Sequence, residues 1–293
     1  MFKSIPMRKT LLLLLWLSCI ATGSFAGIER LGLKAAMDKG LIQVKAMAAN
    51  SGYRKIKLQV KNNTGKAMQL TVDPGLIFKP ADTGYQDLVI PGGDMLVLTG
   101  KNEQTLELNS FCGKSYASSP VSGLTYAFSR QGDSGMIKVL AFISAHKLYN
   151  DLGQHAVWAL TNNHELSAVF DPENAAVSQQ LLALLSAATG KPVPDYYRYY
   201  AIDHTPGHAA FVPKLLKMYA RFEWNQETPK VMTLGIYNEA GDMIQPVAEN
   251  QEFVKGGNRV TIEFEAENVK AGKYFIRLMD GKTVIKEQMV VVD

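Results

Sequence analysis

Apolar and polar residues alternate along much of the first half of the chain, as in half-buried β-strands. In the stretch KIKLQVKNNTG, Ile56, Leu58 and Val60 share one face, and a turn-forming sequence follows at 62–65. The stretches MQLTVDPGLIF, QDLVIPGGDMLVLTG and QTLELNSF continue at the spacing of a sandwich or barrel. The largely apolar MIKVLAFIS predicts a further buried element. We therefore expect a mostly β region over 41–144, preceded by a short helix at 28–40.

The periodicity changes to that of helices after residue 150. DLGQHAVWAL, at 151–160, has its apolar residues at helical spacing. DPENAAVSQQLLALLSAATG predicts a second helix, with Asp171 as N-cap, Pro172 at the first helical position and Gly190 as the stop. The proline- and tyrosine-rich stretch that follows, up to Val212, is interpreted as the end of one domain and a linker.

A second β region begins at about Pro213. KMYARFEW, VMTLGIYNEAG, NRVTIEFEAENV, GKYFIRLMDG and TVIKEQMVVV are strand-like segments separated by glycines, a pattern typical of an immunoglobulin-like sandwich. The predicted fold class is therefore mainly β with some α. A β-rich domain carrying helices, at 27–212, precedes an immunoglobulin-like β-sandwich at 213–293.

The first 26 residues have the pattern of an export signal. Lys3, Arg8 and Lys9 precede the apolar run LLLLLWL, and Ser24–Ala26 is a small-x-small cleavage site. The sequence thus predicts export to the cell surface or the extracellular space. WLSC, ending at Cys19, loosely resembles a lipoprotein cleavage box, so a periplasmic or outer-membrane lipoprotein is the alternative.

Charge and motifs exclude several functional classes. The chain has 31 basic and 27 acidic residues, and removal of the signal leaves 28 and 27, too balanced for an electrostatic nucleic-acid surface. Neither a P-loop nor a dinucleotide fingerprint is present, and no cofactor is predicted. In the segment DHTPGH, the side chains of Asp203, His204 and His208 lack the helical spacing of a metal-binding pair. The acidic turn residues Asp73, Asp82 and Asp87 are too scattered to form a calcium loop.

Cys112 is the only cysteine left once the signal is removed. Cysteines of exported proteins are usually paired in disulfides. A leftover cysteine indicates an intermolecular bridge, a reactive thiol or a buried inert side chain.

Two stretches around this cysteine resemble a known family. FCGKSYASSPVSGLTY and LGQHAVWALTNN are similar to the cysteine turn and the TQxA-type glutamine helix of bacterial thioester domains. The resemblance implies that Cys112 accepts, and Gln154 donates, an acyl group in an internal thioester that forms with loss of ammonia. It also implies a supporting shell: Phe111 and Trp158 would exclude water, and His155 or Tyr116 would assist proton transfer.

The stretches depart from the family pattern at three points. Phe111 stands where the family often has tyrosine, and Gly153 stands where threonine is usual. The spacing from Cys112 to Gln154, 42 residues, is shorter than expected for adhesin modules.

The C-terminal region has a resemblance of its own. TLGIYNEAGDMIQPV, VKAGKYFIRLMDG and VIKEQMVVV resemble the C-terminal sorting domain of the type IX secretion system in Bacteroidetes. Gly241 and Gly272 would be turn glycines and Tyr274 a core aromatic residue. The resemblance implies secretion machinery as a partner, with an immunoglobulin-like spacer as the alternative.

Three functional hypotheses follow. The first is an exported adhesion or binding protein that captures a protein or glycan surface ligand, with covalent attachment to amines through the thioester. The second is a non-reactive structural or binding component of an outer-membrane or secretion assembly. The third is a secreted cysteine hydrolase, in which Cys112 would be the nucleophile and another side chain the base. The candidate bases are His155, His164, His204 and His208, with Asn162 or Asn163 to orient the ring.

Overall fold

The computed structural model describes residues 28–49 and 54–292. The predicted signal peptide and Cys19 lie outside the described residues. Within this part of the chain the protein is mainly β with a few helices, so the predicted fold class is confirmed.

The largest sheet has seven antiparallel strands and draws them from distant parts of the first half of the chain. In spatial order they are β8 (Glu103–Asn109), β3 (Lys55–Asn62), β2 (Ile42–Ala48), β10 (Thr125–Gln131), β5 (Leu76–Pro80), β6 (Leu88–Ile90) and β9 (Phe111–Cys112). The alternation predicted for β3 is confirmed, since Ile56, Leu58 and Val60 are completely buried.

A smaller sheet packs over the same core. It consists of β1 (Glu29–Gly32), β4 (Met68–Thr71) and β7 (Met95–Leu98), with β1 parallel to β4. The helix predicted at 28–40 is therefore only partly correct. The helix α1 covers Leu33–Asp38 alone, because the residues before it hydrogen-bond to β4, a partner that local periodicity does not reveal.

A helical layer follows the large sheet. It contains α2 (Ser134–Ala145), α3 (Asp151–Thr161) and α4 (Ala175–Thr189), with short 3-10 turns at Leu166–Ala168 and Pro172–Asn174. The apolar stretch MIKVLAFIS lies in α2, where the Asp133 side chain accepts a hydrogen bond from the Met136 N–H at 2.8 Å. The two helices predicted beyond residue 150 are confirmed. Asp171 caps the 3-10 turn before α4, and Gly190 ends α4 in the left-handed conformation.

The last seven strands form a two-sheet sandwich. One sheet has the order β11 (Tyr196–Ile202), β12 (Phe211–Gln226), β15 (Gly256–Glu265); the other has β14 (Met243–Phe253), β13 (Lys230–Tyr237), β16 (Gly272–Asp280), β17 (Thr283–Val292). The first, second and fifth strands thus oppose the other four, an immunoglobulin-like arrangement with the fourth strand beside the third. Side chains from both sheets, Tyr274 among them, form one buried core.

The sandwich begins earlier along the chain than the pattern suggested. β11 lies in the stretch interpreted as the end of a domain and a linker, and it pairs with β12. The predicted division at 212/213 falls inside β12, two residues after that strand begins. The prolines at 192 and 194 concealed β11 because they are typical of loops, and the strand begins only two residues after the second of them.

Candidate functional site: a buried cysteine and glutamine

Cys112 lies at the edge of the seven-stranded sheet, on the short strand β9. Backbone pairing with β6 places Cys112 opposite Leu88 and Phe111 opposite Val89. The thiol side chain is completely buried and forms no disulfide. The sequence left three interpretations open: an intermolecular bridge, a reactive thiol or a buried side chain. The structure shows that the side chain is buried.

Gln154 reaches Cys112 from the first turn of α3. The Asn150 side chain caps this helix by accepting a hydrogen bond from the Gly153 N–H at 3.3 Å. Gln154 is the next residue, and its side chain is also completely buried. The structure thus brings together the two residues that the sequence resemblance paired, 42 positions apart.

The contact between them is a reciprocal pair of hydrogen bonds. The Cys112 N–H donates to Oε1 of Gln154 at 3.0 Å, and Nε2 of Gln154 donates to the Cys112 carbonyl oxygen at 2.9 Å. Both ends of the carboxamide are therefore fixed by the backbone of one residue. This arrangement holds the carboxamide carbon beside the residue that carries the thiol.

The same hydrogen bonds have a chemical consequence. If a nucleophile attacks the carboxamide carbon, negative charge develops on Oε1 of Gln154. The Cys112 N–H already donates to that atom, so it is placed as a preformed donor for an oxyanion. The buried surroundings strengthen such an interaction because water does not screen it.

Phe111 and Gly153 allow the helix to approach the strand this closely. A Cβ atom at Gly153 would lie 2.9 Å from Cζ of Phe111 and 2.1 Å from the Leu148 carbonyl oxygen. A side chain at position 153 is thus excluded by the ring on β9 and by the preceding turn. Glycine at position 153 therefore has a local packing reason.

Trp158 covers the cysteine from the next turn of α3. Trp158, Cys112 and Ala210 form one buried cluster, packed against Ile202 and Phe211. The ring centroids of Trp158 and Phe211 lie 5.7 Å apart in an edge-to-face arrangement. Strands of the C-terminal sandwich therefore complete the apolar cover, a contribution that the sequence patterns did not indicate.

The other two members of the predicted shell are placed differently. His155 is 97 % buried, and burial lowers the pKa of its imidazole to about 4, so the ring is neutral near pH 7. Its ring packs edge-on against Trp158, with centroids 5.5 Å apart. Tyr116 is 76 % exposed and takes no part in the apolar cover.

Polar contacts fix the turn that follows Cys112, to the end of α3 through Ser115 and to Asp87 through Lys114. The Ser115 N–H donates to Oδ1 of Asn162 at 3.0 Å, and the Ser115 hydroxyl lies 2.9 Å from Nε2 of His164. Lys114 forms an ion pair with Asp87 at 2.9 Å. Burial and then the nearby Lys191 lower the pKa of His164. The sequence patterns indicated no role for Lys114 and Ser115, which stand two and three positions after the cysteine.

The histidines of the hydrolase hypothesis have separate neighbours. His164 contacts Ser115, Nε2 of His204 lies 3.6 Å from Asp151, and Nδ1 of His208 lies 3.0 Å from Asp203. Asn162 is engaged with the Ser115 backbone, and the Asn163 carbonyl accepts from Lys191. Each of these three histidines is thus held by a different side chain.

The acidic turn residues have structural partners in the described ranges. Asp73 accepts from the Lys34 N–H at 2.8 Å, Asp82 accepts from the Gly84 N–H at 2.9 Å, and Asp87 pairs with Lys114. Within 28–49 and 54–292 there is no group of three or more potential ligands placed to hold a metal ion. None of the helices described is long and apolar enough to cross a membrane.

Comparison with known proteins adds little to this geometry. No family model matches the chain, and no curated protein matches it. A crystal structure of red sea bream transglutaminase is similar at 11% sequence identity and a TM-score of 0.18, covering 89% of this chain and 33% of that one. The chain thus spans about a third of that protein, and at this TM-score the likeness carries no argument. Fold and site define a mainly β protein with a buried Cys–Gln pair.

Proposed function

We propose that the protein is an exported surface binding protein that uses Cys112 and Gln154 to form an internal thioester and capture amines. The observation that carries the proposal is the reciprocal hydrogen bonding of the Gln154 carboxamide to the Cys112 backbone. The resemblance of both sequence stretches to thioester domains supports it.

The bond would form by acyl transfer within the buried pair. The Cys112 sulfur attacks the carboxamide carbon of Gln154, and the oxyanion forms where the Cys112 N–H donates. The carbon–nitrogen bond then breaks, the thiol proton passes to the leaving nitrogen, and ammonia departs. The products are one thioester and one ammonia, so no oxidant or reductant is needed.

Capture would reverse the roles of sulfur and nitrogen. A primary amine of a protein or glycan ligand attacks the thioester carbon, forms an amide with the Gln154 acyl group and returns the thiol to Cys112. The apolar cover from Phe111 and Trp158 protects the thioester by excluding water. Because Cys112 and Gln154 are completely buried, we expect small amines to react faster than bulky ones.

The C-terminal sandwich would serve attachment or sorting in this scheme. Its resemblance to type IX sorting domains, with Gly241, Gly272 and Tyr274 at the corresponding positions, favours an interaction with secretion machinery. Gly241 has a positive φ, as a turn glycine does, and Tyr274 is buried, as a core aromatic residue is. Both features are also typical of other small β-sandwiches.

Intact mass spectrometry of the purified mature protein tests the proposal. We expect a mass lower than the sequence predicts by one ammonia, and an added methylamine after treatment with that amine. Cys112→Ala and Gln154→Met should both restore the full mass. Gln179→Met is the matched control: it removes a glutamine of α4 whose Nε2 donates to the Tyr197 hydroxyl of β11, and it should keep the deficit.

A full mass in the unmodified protein, with a thiol that titrates after unfolding, would contradict the thioester. That result would favour the non-reactive component, in which Gln154 only joins α3 to β9. The same spectrum distinguishes cleavage after Ala26 from lipidation at Cys19.

A further inference from the structure

A cleft of about 510 Å³ lies on another side of α3, away from the face that carries Gln154. It is bounded by the first turn of that helix, the segment 170–173 and the strands β11 and β12. Its volume is in the range of small-molecule sites. The lining includes His155, Asp171, Glu173, Tyr199, Lys217 and Tyr219.

His155 is the strongest indication that this cleft accepts a ligand. The residue is only 3% exposed, yet it lines the cleft. Within the described part of the chain neither of its ring nitrogens has a hydrogen-bond partner. Buried polar atoms are normally paired, so a polar group entering the cleft would satisfy an unmet requirement of the fold.

The charges around the cleft favour a cation. Asp151, Asp171 and Glu173 line it, and of these Asp151 is paired with Arg54 behind the lining. Lys217 is the one lysine or arginine among the described residues that line the cleft. Two further carboxylates hold that lysine: its Nζ lies 2.5 Å from Glu263 and 2.9 Å from Glu265. The positive charge of Lys217 is therefore offset locally, while Glu173 is exposed and adds negative charge to the rim.

Three aromatic residues also line the cleft. Phe170, Tyr199 and Tyr219 contribute rings to the cleft, and the ring of Phe170 is fixed by stacking on Tyr197 at 3.9 Å. Aromatic rings attract cations through their faces and also contact aliphatic chains. Rings and carboxylates together suit an ammonium group carried on a short aliphatic stem.

We propose that this cleft binds a primary ammonium group non-covalently, with the neutral His155 ring accepting one of its hydrogen bonds. The ammonium would belong either to a free diamine or to a lysine side chain. This site is separate from the thioester proposed above and forms no bond to Cys112.

NMR spectroscopy of the Cys112→Ala protein tests the proposal, since no covalent capture can occur in that variant. The probe is cadaverine, a five-carbon diamine, and the measured signal is that of the His155 ring. We expect a saturable shift with cadaverine and none with pentanoate or pentan-1-ol. A blocked tripeptide with a central lysine distinguishes the sources: tighter binding than cadaverine assigns the site to lysine side chains, and weaker binding assigns it to free diamines.

A charge-neutralising variant makes the test specific. Glu173→Gln should weaken cadaverine binding about threefold to fivefold, the effect of one partly exposed carboxylate. The control Glu103→Gln removes the same charge from β8, which does not line the cleft, and should leave binding unchanged. The proposal is overturned if cadaverine leaves the His155 signal unchanged, if pentanoate shifts it equally, or if both variants behave alike. These results do not depend on the mass measurement, so failure of the thioester leaves the cleft testable.

Discussion

Replacing Gln154 by methionine tests whether its two hydrogen bonds fix α3 to β9. The comparison is made in the Cys112→Ala background, where a thioester cannot form but both backbone groups at position 112 remain. Methionine has nearly the length and volume of glutamine and adds no charge, so the space around position 154 stays filled. It can neither accept from the N–H nor donate to the carbonyl oxygen of residue 112.

The expected cost follows from the number and burial of the groups left without a partner. One N–H and one C=O at position 112 lose their partners inside a fully buried cluster. Each such group costs about 1–3 kcal/mol when it stays buried. The free energy of unfolding should therefore fall by about 2–6 kcal/mol, a large part of the stability of an ordinary domain.

Urea denaturation gives this difference, and hydrogen exchange locates it. The midpoint should fall with little change in slope, and the amide of residue 112 should exchange faster. Gln179→Met is again the control, because it removes one hydrogen bond to Tyr197 on an exposed helix face and should cost about 1 kcal/mol at most. If Gln154→Met is no more destabilising than this control, the hydrogen bonds do not join the two elements as argued.

Two further substitutions test the surroundings of the pair. Burial holds the pKa of His155 at about 4 in the folded protein against 6.5 in the unfolded chain, so the unfolded state takes up the proton first on acidification. The resulting stability is fully present above pH 6.5 and falls by about 3 kcal/mol towards pH 4. His155→Phe should remove that part of the pH dependence of the unfolding free energy. An unchanged pH profile in this variant would contradict the buried, neutral state of His155. Gly153→Ala should destabilise the protein by about 2 kcal/mol net in thermal or urea unfolding, because overpacking against Phe111 and Leu148 exceeds the gain in helix propensity. Gly65→Ala, with no atom within 4 Å of the added Cβ, should be close to neutral; equal effects would refute the packing argument.

Local signals in the sequence predicted those elements whose ends are chemically marked. The cap at Asp171 and the stop at Gly190 bracket a helix because they satisfy or terminate its backbone hydrogen bonds. The alternation over Ile56, Leu58 and Val60 predicted a strand with one buried face for the same local reason. Five of the seven strands of the C-terminal sandwich, all but β11 and β14, were predicted from glycine-separated strand patterns.

Elements defined by distant partners were not predictable in this way. The residues of β1 are strand only because β4 lies beside them, and those of β11 because β12 does. The apolar run in α2 has no periodicity that separates a buried helix from a buried strand. The cover over Cys112 from Ala210 and Phe211 depends on the tertiary fold and has no local signal.

The ring of Phe111 on β9 lies against Gly153 in the first turn of α3. The ring of Phe111 occupies the space that a side chain at position 153 would need. Threonine at 153 could therefore not be accommodated while Phe111 keeps its place, since its Cβ would also meet the Leu148 carbonyl oxygen. Gln154, the next residue, nevertheless reaches Cys112 across this contact with both hydrogen bonds formed. Glycine at position 153 is thus the residue that lets α3 approach β9 closely enough for the Gln154 carboxamide to bond the Cys112 backbone.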